Sequence, residues 1–205
     1  MKIIFYFFLF TILHNCSENK NLYFSEYIGY LKANDSIQIP FNFQIKNNLM
    51  IISNAEELVE LKISVEKSDS LKVESPYFED IIMYFDHKDS LSGFYYNNSL
   101  DRKIPFNAKH GNKRFDIKNE FKNFSGSWRV IFNYNDDDAF DAEMMVDQNN
   151  HLLEGTIRTE TGDYGFMQGV SNQNRISMSN FNGYRAYMLD GYLKSDTVKG
   201  FLYMG

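Results

Sequence analysis

The 205-residue chain is 43% hydrophobic and 17% aromatic, and it carries a formal net charge of −6. The acidic balance is spread along the sequence with no basic stripe, which argues against nucleic acid as a partner. Proline and glycine are too scarce, at three and twelve residues, for low-complexity disorder. The abundant phenylalanines and tyrosines favour pleated, half-buried strands.

The first residues have the pattern of an export signal. Lys2 precedes an apolar run from Ile3 to Leu13, which is shorter than the roughly 20 residues of a membrane-spanning helix. Such a run is typical of the central part of a signal peptide. Because it ends close to Cys16, in a sequence that resembles a bacterial lipobox, we expect residues 1–15 to be a signal peptide and Cys16 to carry lipid. A plain secretory signal with an incidental cysteine is the alternative.

Lipidation would place the mature chain in the cell envelope, anchored to a membrane on its periplasmic or outer-membrane face, with residues 16–26 as a tether. Each buried methylene of an acyl chain contributes about 0.8 kcal/mol, so more than one chain anchors a protein stably. Cys16 is the only cysteine of the chain. With Cys16 acylated, no thiol remains for a disulfide, a CxxC redox pair or a cysteine nucleophile.

Residues 27–97 alternate between apolar and polar side chains, as β-strands do when one face is buried. One stretch, residues 54–61, also has good helix formers after a helix-capping Asn54, so a short helix is the alternative there. The alternation of Val59, Leu61 and Ile63 favours a strand. The candidate strands of this region are residues 27–33, 37–45, 49–53, 59–65, 71–74, 81–86 and 91–96.

Residues 98–125 are more basic and less regular than the rest of the chain. We interpret them as a connecting segment that packs along a barrel wall and contains one or two short strands. Alternation then resumes, with Ile176 and Met178 pointing one way and Ser177 and Ser179 the other. Gly, Asn and Asp occupy the breaks between segments, where they tolerate positive φ. Further candidate strands span residues 128–134, 139–146 and 152–159.

Closely spaced strands with no helix between them must pair antiparallel with their neighbours. We therefore predict an all-β fold: an antiparallel up-and-down meander with two repeated, lipocalin-like barrel or sandwich units. Residues 90–96 (SLSGFYY) resemble residues 197–203 (TVKGFLY), which supports a repeat, although alternating strands also resemble one another by chance. The predicted organisation is a signal peptide (1–15), a lipidated N-terminus and tether (16–26), a first β-meander (27–97), a connecting segment (98–125) and a second β-meander (126–205).

Four segments of the sequence are distinctive: GSWRVIF (126–132), LEGTIRTETGDY (153–164), SNFNG (179–183) and KGFLYMG (199–205). Together with shorter pieces at 39–43, 54–57, 75–78, 91–94 and 104–106, they resemble the N-terminal β-rich region of the TlpA-like thiol-disulfide reductase lipoproteins of Bacteroidetes. The resemblance covers most of the mature chain, and its most specific piece is TETGDY. It implies envelope localisation and an accessory β module. The CxxC pair that carries the family's reductase activity is absent from this sequence, so we expect no such activity.

The TETGDY run also supplies the sharpest candidate site. Gly162 permits a tight turn, at which Asp163 and Tyr164 would project beside Thr159 and Thr161. An acid, a phenol and two hydroxyls could bind a polar ligand. The alternative is a structural turn in which the Asp163 carboxylate accepts backbone N–H bonds.

Other candidates are weaker. Trp128 and Tyr184 could line a barrel mouth, although a lone tryptophan in a barrel is more often part of the core. The acids at 136–138 lack the alternating spacing of a calcium cage, which favours a solvated hairpin. His87, His110 and His151 have no paired-ligand spacing. We expect no metal, no cofactor and no catalytic constellation.

Two classes of function follow. The first is a non-catalytic β-rich envelope lipoprotein module that presents a partner or substrate. The second is a small-ligand-binding, lipocalin-like barrel, because a barrel of about eight strands has room for one small ligand. With 19 Phe and 14 Tyr, a filled barrel interior favours the first class. An enzyme that uses Asp163 as a base is a distant third.

Overall fold

The computed structural model describes residues 25–67, 70–75, 81–87, 91–97, 101–118 and 120–205. The predicted signal peptide, Cys16 and the Pro76–Phe78 part of the resemblance lie outside these ranges. Within them the chain forms sixteen β-strands and no helix, which confirms the predicted all-β fold class. The first eight are β1 (Ser25–Lys32), β2 (Gln38–Lys46), β3 (Leu49–Asn54), β4 (Glu57–Lys67), β5 (Ser70–Glu74), β6 (Ile81–His87), β7 (Leu91–Asn97) and β8 (Arg102–His110). The others are β9 (Gly126–Phe132), β10 (Phe140–Asn149), β11 (Leu152–Thr159), β12 (Gly162–Asp163), β13 (Met167–Asn172), β14 (Arg175–Phe181), β15 (Ala186–Lys194) and β16 (Thr197–Met204).

Strands β1 to β8 form a closed antiparallel barrel in which each strand pairs with its neighbour in sequence. Closure comes from β8, which pairs with β7 on one side and with β1 on the other, from Leu31 opposite Phe106 to Tyr27 opposite His110. The segment predicted to connect the two meanders therefore supplies the closing strand of the first. A closed barrel leaves no free sheet edge.

The interior of the barrel is filled by alternating side chains. On β2, Ile39, Phe41, Phe43 and Ile45 point inward and are no more than 1% exposed. The rings of Phe41 and Phe43 lie 6.1 Å and 6.2 Å from that of Phe106 on β8. An eight-stranded barrel is just wide enough for such side chains to fill it. This packing is the filled interior that the aromatic content predicts.

The helical alternative for residues 54–61 does not occur. Asn54 ends β3, a two-residue turn follows, and β4 begins at Glu57. Val59, Leu61 and Ile63 are buried, while the residues between them are exposed. Tertiary packing of this period-two pattern outweighs the local helix propensity.

The second meander is an open sheet with the order β16-β15-β14-β13-β11-β10-β9, and the short β12 pairs with β11 beside β13. Its apolar concave face forms a second core, separate from that of the barrel. Phe124, from the segment that precedes β9, is fully buried in this core. The buried members of the second core are Phe124, Met144, Val146, Leu153, Ile157, Met167, Ile176, Met178 and Tyr187.

The end of β14 and the loop that leads to β15 close one end of the barrel. Phe181 is buried between Phe41 and Tyr95, with ring-centroid distances of 4.7 Å and 5.6 Å. The Asn54 side chain donates to the Phe181 carbonyl at 2.9 Å and accepts from the Phe181 N–H at 3.2 Å. The Tyr95 hydroxyl donates to the backbone carbonyl of Tyr184 at 2.5 Å. The second unit thus completes the core of the first.

Arg114, from the segment between β8 and β9, joins the two units. Its Nε donates to Asn42 Oδ1 at 2.8 Å, Nη1 to the Ser179 carbonyl at 2.6 Å, and Nη2 to the Ser53 carbonyl at 2.7 Å and Gln168 Oε1 at 3.2 Å. The acceptors come from both units, so the guanidinium spans the interface. Burial lowers the pKa of Arg114 to about 9, which still leaves the side chain charged at neutral pH.

Candidate functional site

The TETGDY run forms the turn between β11 and β12. The Thr159 hydroxyl donates to the Gly162 carbonyl at 2.9 Å and accepts from the Thr161 N–H at 3.3 Å. Asp163 Oδ1 accepts from the Gly165 N–H at 2.8 Å, an Asx-type contact across two residues. These bonds engage the same side chains that the sequence offered as ligand contacts. The turn is exposed, and its polar groups hold its own backbone.

Tyr164 faces away from this exposed turn. Its ring packs edge-on to Tyr187 at 4.9 Å and lies 5.8 Å from Phe132, within the concave core of the second sheet. Burial raises the pKa of the Tyr164 phenol. The Tyr164 carbonyl accepts from Asn180 Nδ2 at 2.7 Å, which ties the end of the turn to β14. Asp163 and Tyr164 therefore contact different surroundings.

Trp128 and Tyr184, the two candidates for the lining of a barrel mouth, belong to different units. Trp128 lies on β9, where its Nε1 donates to the Phe124 carbonyl at 2.8 Å and its ring is half-buried against the concave core. Tyr184 lies in the loop that closes the barrel. No common mouth contains both residues.

The remaining candidates stay apart. His110 packs on Tyr27 at 4.6 Å, and His151 Nδ1 lies 2.9 Å from the Ser171 carbonyl. Asp138 accepts from Asn133 Nδ2 at 2.8 Å in the exposed turn that follows β9. Across the part of the chain that the structure describes, no three His, Cys, Asp or Glu side chains converge on a metal position. The Cys16 and His87 side chains lie outside that part.

A polar groove that the sequence did not reveal runs between the two units. Its floor is the outer face of β14 and β15, where Arg175 lies opposite Tyr192 and Ser177 lies opposite Asp190. Arg175 donates to both carboxylate oxygens of Asp190, at 2.6 Å each, and the Ser177 hydroxyl donates to Asp190 Oδ1 at 3.0 Å. The hydrogen bond to Asp190 raises the pKa of Arg175.

The walls of the groove come from β2 and from the segment that precedes β9. Gln38 and Pro40 of β2 form one side. On the other side, Asn172 Nδ2 donates to the Asp116 carbonyl at 2.7 Å and Asn172 Oδ1 accepts from the Lys118 N–H at 2.8 Å. The groove encloses about 500 Å³. Only the β14–β15 register brings Arg175 and Asp190 together, so sequence spacing gave no signal of this pair.

The edges of the second sheet form another open feature. Strand β9 pairs only with β10, and β16 only with β15, so within the described ranges each has one unpaired side. Along β9, Trp128, Val130 and Phe132 are half-buried on the concave face. Val198 and Leu202 of β16 are half-buried on the same face. An apolar row therefore accompanies each free edge.

Comparison of the chain with family models, curated proteins and solved structures finds no significant match. A search of the described residues for a helix long and apolar enough to cross a membrane finds none.

Proposed function

We propose that this chain is a non-catalytic, lipid-anchored binding module of the cell envelope that offers a protein partner the free edges of its second sheet. The observation that carries the proposal is the contrast in edges: the first meander closes on itself, whereas β9 and β16 of the second each keep one unpaired side within the described residues. An unpaired strand presents a row of N–H and C=O groups to which an extended segment of a partner can add.

The two free edges have little of the protection that sheet edges usually carry. Natural edges are blunted by charges, prolines, bulges or short length. Strand β9 (GSWRVIF) has one charged residue, Arg129, and β16 (TVKGFLYM) has one, Lys199. Neither contains proline. Ile131 on β9 and Met204 on β16 are exposed, so a partner strand would gain apolar contacts as well as main-chain hydrogen bonds.

The anchor and the absence of catalysis rest on the sequence. The apolar run that ends near Cys16 supports export and lipidation. A single cysteine cannot form a CxxC pair, which supports a role other than thiol-disulfide exchange. The resemblance to the N-terminal region of TlpA-like reductases supports a location in the envelope and an accessory role there.

Small-ligand binding is the second candidate function. The aromatic filling of the barrel and the loop that closes one of its ends leave the barrel interior a poor site for it. The polar groove between the units, with its volume of about 500 Å³, is the observation that favours this candidate.

Site-specific photo-crosslinking in the cells that produce the protein tests partner binding. A benzophenone amino acid placed at Ile131 or Met204 should give a discrete protein adduct. The matched control is Leu58, an apolar residue of the closed barrel that is 63% exposed. An identical adduct from Leu58, or no adduct from either edge position, would overturn the proposal.

The anchor is tested separately by labelled palmitate. The unaltered protein should incorporate the label and sediment with the membrane fraction, and Cys16→Ser should do neither. Equal labelling of the two proteins contradicts lipidation at Cys16 and leaves the edge proposal to be judged by crosslinking alone.

A further inference from the structure

The groove between the two units has the size and position of a small-molecule site. Such sites commonly have volumes of about 300–1,000 Å³ and lie between domains. The groove encloses about 500 Å³ between β2 of the barrel and the outer face of β14 and β15. Val170 and Met188 give it an apolar floor, and Ser177, Asp190 and Arg175 supply polar groups above it.

The charges of the groove balance one another. Arg175 is paired with Asp190 through two hydrogen bonds, and the nearby Lys118 and Asp116 add one charge of each sign. An anionic ligand would have to compete with Asp190 for the guanidinium, and a cationic ligand would have to compete with Arg175 for the carboxylate. The lining therefore favours an uncharged ligand.

Hydrogen-bonding capacity remains within the ion pair. Arg175 uses Nε and Nη2 on Asp190, so the two N–H groups of Nη1 are not engaged by this carboxylate and can donate to a ligand. Asp190 Oδ1 accepts two hydrogen bonds and Oδ2 accepts one, and a carboxylate offers about four lone-pair positions. The Asp190 side chain is 16% exposed, so a ligand can reach it. A donor and an acceptor side by side suit the hydroxyl groups of a polyol.

Aromatic rings flank these polar groups on the same face of the sheet. Tyr192, which is 52% exposed, lies at the lip of the groove with its ring 5.4 Å from the Arg175 guanidinium. Phe201 of β16 lies directly opposite Asp190 and is 68% exposed, and its ring is 5.9 Å from that of Tyr203. A sugar ring has an apolar C–H face that stacks on aromatic rings and a rim of hydroxyls that hydrogen-bond. The exposed rings beside the charge-balanced pair of Arg175 and Asp190 complement both parts of such a sugar.

We propose that this groove binds an uncharged saccharide. Tyr192 and Phe201 stack against the faces of the sugar rings, and Arg175 and Asp190 hydrogen-bond to neighbouring hydroxyls. Phe201 belongs to the edge strand β16, but the polar pair and Tyr192 lie on β14 and β15, so this proposal is tested independently of whether the edges bind a protein partner.

Calorimetric titration of the full chain tests this proposal, in a zwitterionic detergent that contains no sugar. The probes are maltotetraose, cellotetraose, mannotetraose and chitotetraose, with tetragalacturonate and inorganic phosphate as anionic probes. At least one neutral tetrasaccharide should bind, and Asp190→Asn and Tyr192→Ala should each weaken its binding by about tenfold or more, since a hydrogen bond to a charged group or a stacked ring is lost. The matched control Tyr134→Ala removes an exposed tyrosine from the turn after β9 and should leave binding unchanged.

Three results would overturn the proposal: no binding of any neutral probe, tighter binding of an anionic probe, or equal binding by the protein and both groove variants. If Asp190→Asn does not fold, Tyr192→Ala still decides the question, because that side chain is largely exposed. Far-ultraviolet circular dichroism of each variant establishes its folding before titration.

Discussion

The two meanders have the same up-and-down connectivity and differ in their edges. In the first, β1 meets β8, and the inward residues Ile39, Phe41 and Phe43 are almost completely buried. In the second, β9 and β16 stay apart, and the apolar row on β9 is only half-buried. Closure buries a core and removes free edges. Among the described residues, the open unit keeps half-buried apolar rows and one unpaired side on each edge strand, the two features on which the proposed binding surface rests.

The closed unit also depends on the open one. Phe181, Ala186 and Met188 of the second meander belong to the core of the barrel. The Arg114 guanidinium and the Asn54 side chain add polar links across the interface. The two units should therefore unfold together. Trp128, the only tryptophan, lies on β9, so its fluorescence reports on the open sheet, whereas circular dichroism reports on all strands.

The largest effect should come from the residue that completes the barrel. Phe181→Ala removes a buried ring from between Phe41 and Tyr95 and should cost about 3–5 kcal/mol of unfolding free energy. The exposed Phe201→Ala is the matched control and should change stability by less than about 0.5 kcal/mol. Urea unfolding followed by circular dichroism gives both values. Equal losses in the two variants would show that Phe181 does not complete the barrel.

A smaller loss should follow when the link between the units is removed. Arg114→Met abolishes hydrogen bonds from a charged donor to four acceptors, and each such bond contributes about 1.5–3 kcal/mol before the cost of burying the charge is subtracted. We expect a net loss of about 2 kcal/mol. Arg114→Lys should lose nearly as much, because an ammonium lacks the planar fork. In Arg114→Met, the Trp128 fluorescence transition should separate from the circular dichroism transition.

The pKa of Arg114 gives this test a pH control. Burial lowers the pKa of Arg114 to about 9. This side chain therefore holds its proton in both the folded and the unfolded chain at lower pH, and its proton binding differs between the two states only from about that pH upward. The loss in Arg114→Met should therefore stay constant between pH 5 and pH 8. The exposed Arg129, paired with Asp141 on the open sheet, is the matched control, and Arg129→Met should leave the two transitions coincident. Separation in both variants would contradict a specific role for Arg114.

Tyr95 should make the barrel sensitive to alkaline pH. Burial raises its pKa to about 12, above the ordinary value of about 10, so its neutral form is favoured in the folded state. The contribution of Tyr95 to the free energy of unfolding is constant below about pH 10. It falls as the pH rises from about 10 towards 12, because the phenol loses its proton at lower pH in the unfolded chain than in the folded chain. Tyr95→Phe should be less stable than the unaltered protein at pH 9, and the difference should narrow by about 1 kcal/mol at pH 11. A constant difference over that range would contradict the shift.

Sequence alternation predicted most of the strands, and it failed where the pairing of distant strands decides the structure. Ile104, Phe106 and Ala108 of β8 alternate inward, but Pro105 and the flanking basic residues made the segment look like a connection. Pro105 is tolerated because it lies beyond the β1 ladder, which starts at Phe106. Whether a meander closes depends on the register between its first and last strands. That register is a long-range property which no local pattern contains.

The sites show the same division. The local hydrogen bonds of the Thr159–Asp163 turn could be anticipated, because glycine, threonine and aspartate have short-range preferences. The pair of Arg175 and Asp190 could not, since only the β14–β15 register places them on one face. In the sequence, Arg114 does not differ from the other basic residues of its segment. Its role becomes visible only in the packing of the two units, which buries it. Contacts between units depend on outer faces, whose polar side chains look like ordinary solvent-exposed residues.

The smallest effect should come from the turn of the open sheet. Asp163 is exposed and accepts one backbone hydrogen bond, so Asp163→Ala should cost about 0.5–1.5 kcal/mol and lower the melting temperature by roughly 1–6 °C. Asp163→Asn keeps an acceptor oxygen and should cost less. Thr159→Val, which removes the hydroxyl that bonds to Gly162, should resemble Asp163→Ala if both residues serve the turn.

If Asp163 serves a ligand instead, its removal should leave the melting temperature unchanged or raise it, because functional residues often reduce stability. Thermal melts of the three variants beside the unaltered protein distinguish the two roles. If only Thr159→Val lowers the melting temperature, Asp163 does not stabilise the turn, and we would assign it to ligand binding.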